Sequence, residues 1–240
     1  MNRPHTTIQI LSSLNGRING PYMDLAITAE GSKYYGQARN QAHADAWLYG
    51  TTTVDEFLDG QEPDLVPYQN QSVEAGDFVC PKEADVYFVA LDSMGQLGWT
   101  SRFYERPGRP KAQVIEIVSA LASQAYLAYL RDLKISYIMM DSENLDARIL
   151  SEKLHSLFGI EKMLICGGGM ADWTFLSAGV VDELSLFLVP TADGEVNSAS
   201  VFAKIPGSTN DAAVSFEFRN VDVLKDGIVH LTYIPTNIQE

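Results

Sequence analysis

Strand-like and helix-like stretches alternate along most of this chain, and then the helices stop. "TTIQILSSL" (6–14), "ADAWLYG" (44–50), "ADVYFVALD" (84–92), "AQVIEIVS" (112–119), "ISYIMM" (135–140) and "IEKMLIC" (160–166) read as strands. "EGSKYYGQARNQA" (30–42), "SQAYLAYLRDLK" (123–134) and "NLDARILSEKLHSLFG" (144–159) read as helices, the last closed by Gly159 as a left-handed stop. Strands separated by helices pair in parallel, because each crossover returns the chain to the same end of a sheet. From residue 180 the pattern changes. "VVDELSLFLVP" (180–190), "AAVSFEFRNVDVL" (212–224) and "GIVHLTYIP" (227–235) follow one another without a long helix, and "KDG" before the last is a turn signal. The expectation is a single α/β domain over residues 1–240, with a mostly parallel central sheet and antiparallel C-terminal strands.

Composition narrows the function classes. The chain has 46% apolar residues, enough for a sizeable core, and a net charge of -14. A broad basic surface for nucleic acid is excluded, so an anionic ligand must be held locally by backbone N–H groups, hydroxyls or a few arginines. Cys80 and Cys166 are the only cysteines, and a disulfide framework is not expected. No stretch approaches the roughly 20 apolar residues of a membrane span. A cytoplasmic protein is the reading. His5, His43, His155 and His230 are scattered, with no C-x-x-C, so no metal site is expected. There is no G-x-S-x-G elbow to suggest a serine nucleophile.

Two stretches run from a strand through glycine into a helical segment. "LICGGGMADWTFLSAG" (164–179) and "LYGTTTVDEF" (48–57) each place small residues where backbone N–H groups and a helix N-terminus meet an anion. The spacing G-G-G-M-A-D is not the G-x-G-x-x-G fingerprint, so a tight turn forced by packing stays open for the first. A glycine turn with a threonine N-cap stays open for the second. The long segment 60–82 lacks periodicity and reads as a loop or lid.

In order, "RPHTTIQILSSLNGR" (3–17), "ADAWLYGTTTV" (44–54) and "CGGGMADWTFLSAGVVDELSLFLVP" (166–190) resemble the motifs of the riboflavin-biosynthesis pyrimidine reductases, the RibD C-terminal domain family. The resemblance implies a dihydrofolate reductase-like three-layer sandwich and an NADPH-dependent reductase acting on a small heterocycle, usually as a homodimer and without metal. It implies that Gly50, Thr51 and Thr53 contact cofactor phosphate or ribose, that Gly167, Gly168, Gly169, Met170 and Ala171 wrap the pyrophosphate, and that Ser93 meets the adenosine 2'-phosphate, with Arg102 assisting. The substrate side would use Asn15, Asp24, Arg39, Leu65 and the position of Cys166. The zinc deaminase that precedes the reductase in bifunctional members has no counterpart in these residues.

The departures from the family pattern bear on the substrate. Cys166 stands where the riboflavin enzymes carry a glutamate that binds the pyrimidine, Ala26 replaces a tryptophan, Phe57 replaces an aspartate, and Tyr68 aligns near an arginine. A lost charge-assisted hydrogen bond is worth roughly 1.5 to 3 kcal/mol, enough to change which heterocycle is preferred. A paralogous reductase of another heterocycle or pterin, and a catalytically silent nucleotide-binding protein, are the alternatives. Asp182 and Glu183 read as structural, starting a strand. Arg17 either approaches a ligand phosphate or pairs with an acidic neighbour; Arg39 is either a substrate anchor or a solvated surface residue. Trp99 and Trp173 either stack on adenine or pack internally. The proton donor is Asp24 or water.

Overall fold

The computed structural model describes residues 2–141, 145–206 and 213–236. In chain order the elements are β1 (His5–Ser12), α1 (Ala26–Gln41), β2 (Ala46–Gly50), α2 (Thr51–Phe57), β3 (Val86–Leu91), β4 (Phe103–Tyr104), β5 (Ala112–Ser119), α3 (Gln124–Asp132), β6 (Ser136–Met140), α4 (Ala147–Phe158), β7 (Lys162–Ile165), α5 (Gly169–Ser177), β8 (Glu183–Leu188), β9 (Phe216–Val223) and β10 (Val229–Pro235). They form two compact units: Met1–Pro4 with Asp45–Glu161, and His5–Ala44 with Lys162–Glu240.

In the first unit β2, β3, β5 and β6 pair in parallel, and β4 adds antiparallel beside the start of β5. β5 is buried along its whole length, as expected of a strand covered on both faces. Tyr49, Phe57, Phe88 and Tyr104 form an aromatic cluster, with Tyr49 stacked on Phe88 at 4.9 Å and Phe88 4.4 Å from Tyr104. Each such pair adds about 0.5–1.5 kcal/mol beyond the area it buries.

In the second unit β7, β1 and β8 are parallel, β10 pairs antiparallel with β8, and β9 closes the edge against β10. α1 lies close to this sheet because Gly31 has no side chain: a Cβ there would overlap Val189 and press on Leu11. The mostly parallel α/β pattern with antiparallel C-terminal strands is thus as the periodicity predicts.

The differences are local. α1 begins at Ala26 rather than Glu30, because Pro21 opens a 3-10 turn over Pro21–Asp24 and Thr28 Oγ1 donates to the Tyr22 carbonyl at 2.7 Å, tying turn to helix. β4 lies between the expected strands 84–92 and 112–119, and at two residues it is too short to show a period. Segment 60–82 is irregular apart from a 3-10 turn over Val66–Tyr68 and a β-bridge of Phe78 to Tyr137. The first residue expected in helix 144–159, Asn144, and the first expected in strand 212–224, Ala212, lie outside the described residues. No described helix is long and apolar enough to cross a membrane.

Candidate functional site

Both glycine turns stand where a parallel strand hands over to a helix. β2 ends at Gly50, which is the N-cap of α2, and Gly168 is the N-cap of α5 three residues beyond the end of β7. Two helices satisfy their first N–H groups with side chains: Ser123 accepts from Tyr126 on α3, and Asp146 accepts from Arg148 and Ile149 on α4. Among the described residues α1, α2 and α5 have no side-chain cap, and of these only α2 and α5 start at a glycine that follows a strand. Their first-turn N–H groups carry the positive end of the helix dipole and suit phosphate oxygens.

In the first unit the candidate residues gather at one end of β2 and β3. Gly50 lies in register with Leu91, Thr51 Oγ1 donates to the Leu91 carbonyl, and Ser93 follows two residues on, exposed. The Thr51 hydroxyl proton is therefore committed to backbone, and what this threonine offers a ligand is its N–H rather than its O–H. Thr53 is half-buried in the first turn of α2. Arg102 does not join them: its guanidinium takes both carboxylate oxygens of Glu83, at 3.0 and 2.6 Å.

A buried polar network that the sequence reading did not anticipate fixes the loop carrying Ser93. Asp92 accepts the N–H groups of Gln96 at 2.7 Å and Leu97 at 2.9 Å. Glu116 accepts from Trp99 Nε1 at 2.8 Å, and the Tyr126 hydroxyl lies 2.7 Å from Glu116 and 3.1 Å from Asp92. Trp99 is thereby a core residue. Desolvation raises both carboxyls, Glu116 well above the usual range with the Asp92 charge adding to it, so the pair keeps a proton. The one signal was a glutamate inside the otherwise apolar "AQVIEIVS".

In the second unit the glycine cluster serves packing as well as any ligand. Gly167 has φ 95 and its peptide to Gly168 is cis. A Cβ on Gly169 would overlap the Ser200 carbonyl, and the Ala203 N–H donates to Gly169 at 3.0 Å. Met170 is exposed and Ala171 buried. Asp172, in the same first turn, is fully buried, and neither carboxylate oxygen has a hydrogen-bond partner among the described residues. Burial pushes its carboxyl well above the ordinary range, which keeps it neutral and removes a negative charge that would oppose an anion at this helix start.

The substrate-side candidates scatter. Asn15 donates to the Asp193 carbonyl at 2.8 Å, on the loop that also presses Ser200 against Gly169. Cys166 is buried directly before the cluster. Asp24 and Arg39 flank α1 at opposite ends, about 22 Å apart along the helix at 1.5 Å per residue, so the structure does not bring them together. Leu65 belongs to the other unit. Arg39 is 4% exposed and so is not a solvated arginine. Arg17 pairs with no acidic side chain among the described residues and donates to the carbonyls of Ser198, at 2.7 Å, and Val196. Asp182 exchanges two backbone-anchored bonds with Thr6, both 2.8 Å, and is structural as read. Trp173 packs edge-on to Phe202.

Comparison with known proteins agrees with the resemblance. The model of the RibD C-terminal domain matches residues 4–230, and the chain belongs to that family. A pyrimidine reductase-like protein from Corynebacterium diphtheriae superposes with a TM-score of 0.68 at 18% identity, over 98% of this chain and 93% of its own. RibD of Acinetobacter baumannii gives 0.62 at 21% identity over 98% of this chain, which spans 59% of that protein. A diaminohydroxyphosphoribosylaminopyrimidine deaminase/5-amino-6-(5-phosphoribosylamino)uracil reductase of Thermotoga maritima gives 0.63 at 18% identity, with 98% of this chain and 57% of that one covered. The fold is dihydrofolate reductase-like, and family and fold point to a reductase-type enzyme.

Proposed function

We propose that the chain is an NADPH-dependent reductase of a small heterocycle, most similar in role to the 5-amino-6-(5-phosphoribosylamino)uracil reductases, with its two units working as one reductase domain. The observation that carries this reading is the pair of uncapped helix starts, α2 after Gly50 and α5 after Gly168, in a chain of the RibD C-terminal family. Their donor set fits a dinucleotide's phosphates without a basic surface, as a net charge of -14 demands. Gly50, Thr51, Thr53 and Ser93 would hold one part of NADPH, and Gly167, Gly168, Gly169, Met170 and Ala171 another. When bound, the nicotinamide supplies hydride to the substrate carbon. The chain's own contribution is to fix the loop bearing Ser93 through Asp92, Glu116 and Tyr126, and to keep Asp172 uncharged beside the phosphates.

The substrate is a pyrimidine or a related ring. Cys166 favours a second reading, a paralogue that reduces a different heterocycle or pterin: a buried thiol cannot make the charge-assisted bond that the family's glutamate makes. We place the protein in the cytoplasm, in keeping with two buried cysteines that form no disulfide, and propose a homodimer. Support for the dimer comes from register: Leu186, Leu231 and Val221, then Leu188, Val229 and Val223, alternate onto one face of β8, β10 and β9, with Val221 44% and Val223 77% exposed.

Thermal unfolding with NADPH, NADH and no nucleotide tests the cofactor. NADPH at a hundred times its dissociation constant should add about 2.7 kcal/mol, and no stabilisation would overturn the reductase reading. NADPH oxidation with the ribosylaminopyrimidine, in the wild type and in Cys166→Glu, then separates the two substrate readings. Activity raised by the glutamate marks a paralogue diverged at that position.

A further inference from the structure

Between the end of α1 and strands β1, β7, β8 and β10 lies a cavity of about 340 Å³. Sheet residues under a helix are ordinarily apolar, and farther along this face they are, with Leu11 and Phe187 packed beneath Tyr35. Under the cavity the same strands switch to polar residues. Thr7 pairs in register with Glu183, and Gln9 with Ser185, so all four stand on one face, joined by His230 from β10. Ala38, Ala42 and Ala44 form the opposite wall, and their small side chains leave the space open.

The hydrogen bonds of this floor give it a direction. Gln9 Nε2 donates to the Tyr35 carbonyl at 2.8 Å, which fixes the amide and leaves Oε1 as its acceptor. Ser185 Oγ lies 2.8 Å from His230 Nε2, and His230 Nδ1 faces Asp222 at 3.8 Å. With the ring proton on Nδ1, Ser185 donates to Nε2 and keeps its lone pairs for the cavity. The Glu183 carboxylate has no hydrogen-bond or ion-pair partner among the described residues. The Gln9 and Ser185 donors are turned inward to protein, and a carboxylate, an amide oxygen and a hydroxyl oxygen are left as acceptors.

We propose that this cavity is a second ligand site, separate from the glycine turns, that takes a small organic cation of the amidinium or ammonium class on Glu183, Gln9 and Ser185. Its volume is at the lower end of the range of ligand pockets and admits a single substituted ring. The charged and titratable groups around it are His5 from β1, Lys162 from β7, Glu183 from β8 and His230 from β10, with Asp222 of β9 behind His230. Lys162 Nζ donates to the Ala42 carbonyl at 3.3 Å, and α1 adds only alanines to the lining. His230 makes the site pH-sensitive. Protonated, it donates to Ser185, turns that hydroxyl's proton toward the cavity and adds a positive charge beside the ligand. Burial holds its pKa below the ordinary 6.5, so the acceptor floor is intact at neutral pH and is lost in acid.

Calorimetric titration with benzamidine, and with benzoate as the anionic isostere, tests the site. At pH 8 saturable benzamidine binding is expected, with none for benzoate. Glu183→Gln should weaken benzamidine about tenfold or more, the loss of one charge-assisted bond. Ala42→Trp, which leaves every polar group of the floor in place and fills the space, should abolish binding. Lowering the pH until His230 protonates, below the ordinary imidazole range, should weaken it. No saturable binding to the wild type, equal binding of benzoate, or an unchanged affinity in Glu183→Gln would each overturn the proposal. If Glu183→Gln fails to fold, Ala42→Trp decides alone. NADPH stabilisation is expected to be equal in the wild type and both variants, so failure of the cofactor reading and failure of this site are read separately.

Discussion

The starts of α2 and α5 look alike in the sequence and differ in the molecule. Each follows a strand, begins at a glycine and lacks a side-chain cap among the described residues. At α2 the N-cap glycine has φ -74, a conformation open to any residue, and the neighbouring threonine is tied to backbone. At α5 the glycines are demanded: Gly167 has φ 95, Gly169 lies against the Ser200 carbonyl, and a carboxyl is buried in the first turn. One start is defined by hydrogen bonding and the other by how closely backbone approaches backbone. The same local pattern therefore arises from two physical causes, and only the second is intolerant of a methyl group.

Gly169→Ala is the strongest way to break that contrast. The added Cβ meets backbone that cannot rotate away, so a loss of about 1–3 kcal/mol or more is expected in denaturant unfolding, together with loss of NADPH stabilisation. A variant as stable as the wild type would show that the loop at Ser200 yields. The next effect is in the pH dependence. Asp172 has a raised pKa when folded, so the folded state binds the extra proton. Stability is then full below the unfolded carboxylate pKa and falls as pH rises toward the folded one, with a slope of up to about 1.4 kcal/mol per pH unit. Asp172→Asn should flatten this part of the profile relative to the wild type and leave NADPH affinity unchanged wherever burial keeps the native carboxyl protonated. A large affinity change would mean that the carboxyl is charged or in contact with the ligand.

At the other helix the effects are smaller. Thr51→Val removes one neutral hydrogen bond to Leu91 and should cost about 1 kcal/mol. NADPH affinity should change little, since the backbone N–H is retained. Gly50→Ala should cost about 0.5–1 kcal/mol, the usual gap between glycine and alanine at an N-cap. If it matched Gly169→Ala, the two starts would be alike after all.

Much of the fold was legible because it rests on local periodicity. β5 was read to its ends, since "AQVIEIVS" is buried throughout and bounded by turn residues. Gly159 stops α4 in the left-handed conformation its position suggested. α1 was entered four residues late because its first turn is set by Thr28 reaching back to Tyr22, a contact that apolar spacing does not encode. The candidate site was legible only as two glycine turns. That Arg102 is held by Glu83, that Arg39 is buried, and that Asp24 lies a full helix away from it all depend on partners distant in sequence or on helix length. Asp172 gave no warning, because a first-turn aspartate ordinarily faces solvent and complements the dipole; here the helix rotates it inward.

Gly31 gives α1 the character of a lever. The helix backbone comes against Val189 and Leu11 at that bare position, its side chains pack on the sheet as far as Tyr35 and Ala38, and eleven residues after Gly31 Ala42 walls the cavity. Gly31 and Ala42 are about 16 Å apart along the axis. A side chain at position 31 would act as a shim under the fulcrum, tilting the far end and altering the cavity without touching it. Evolution or design could thus retune one end of this helix from the other.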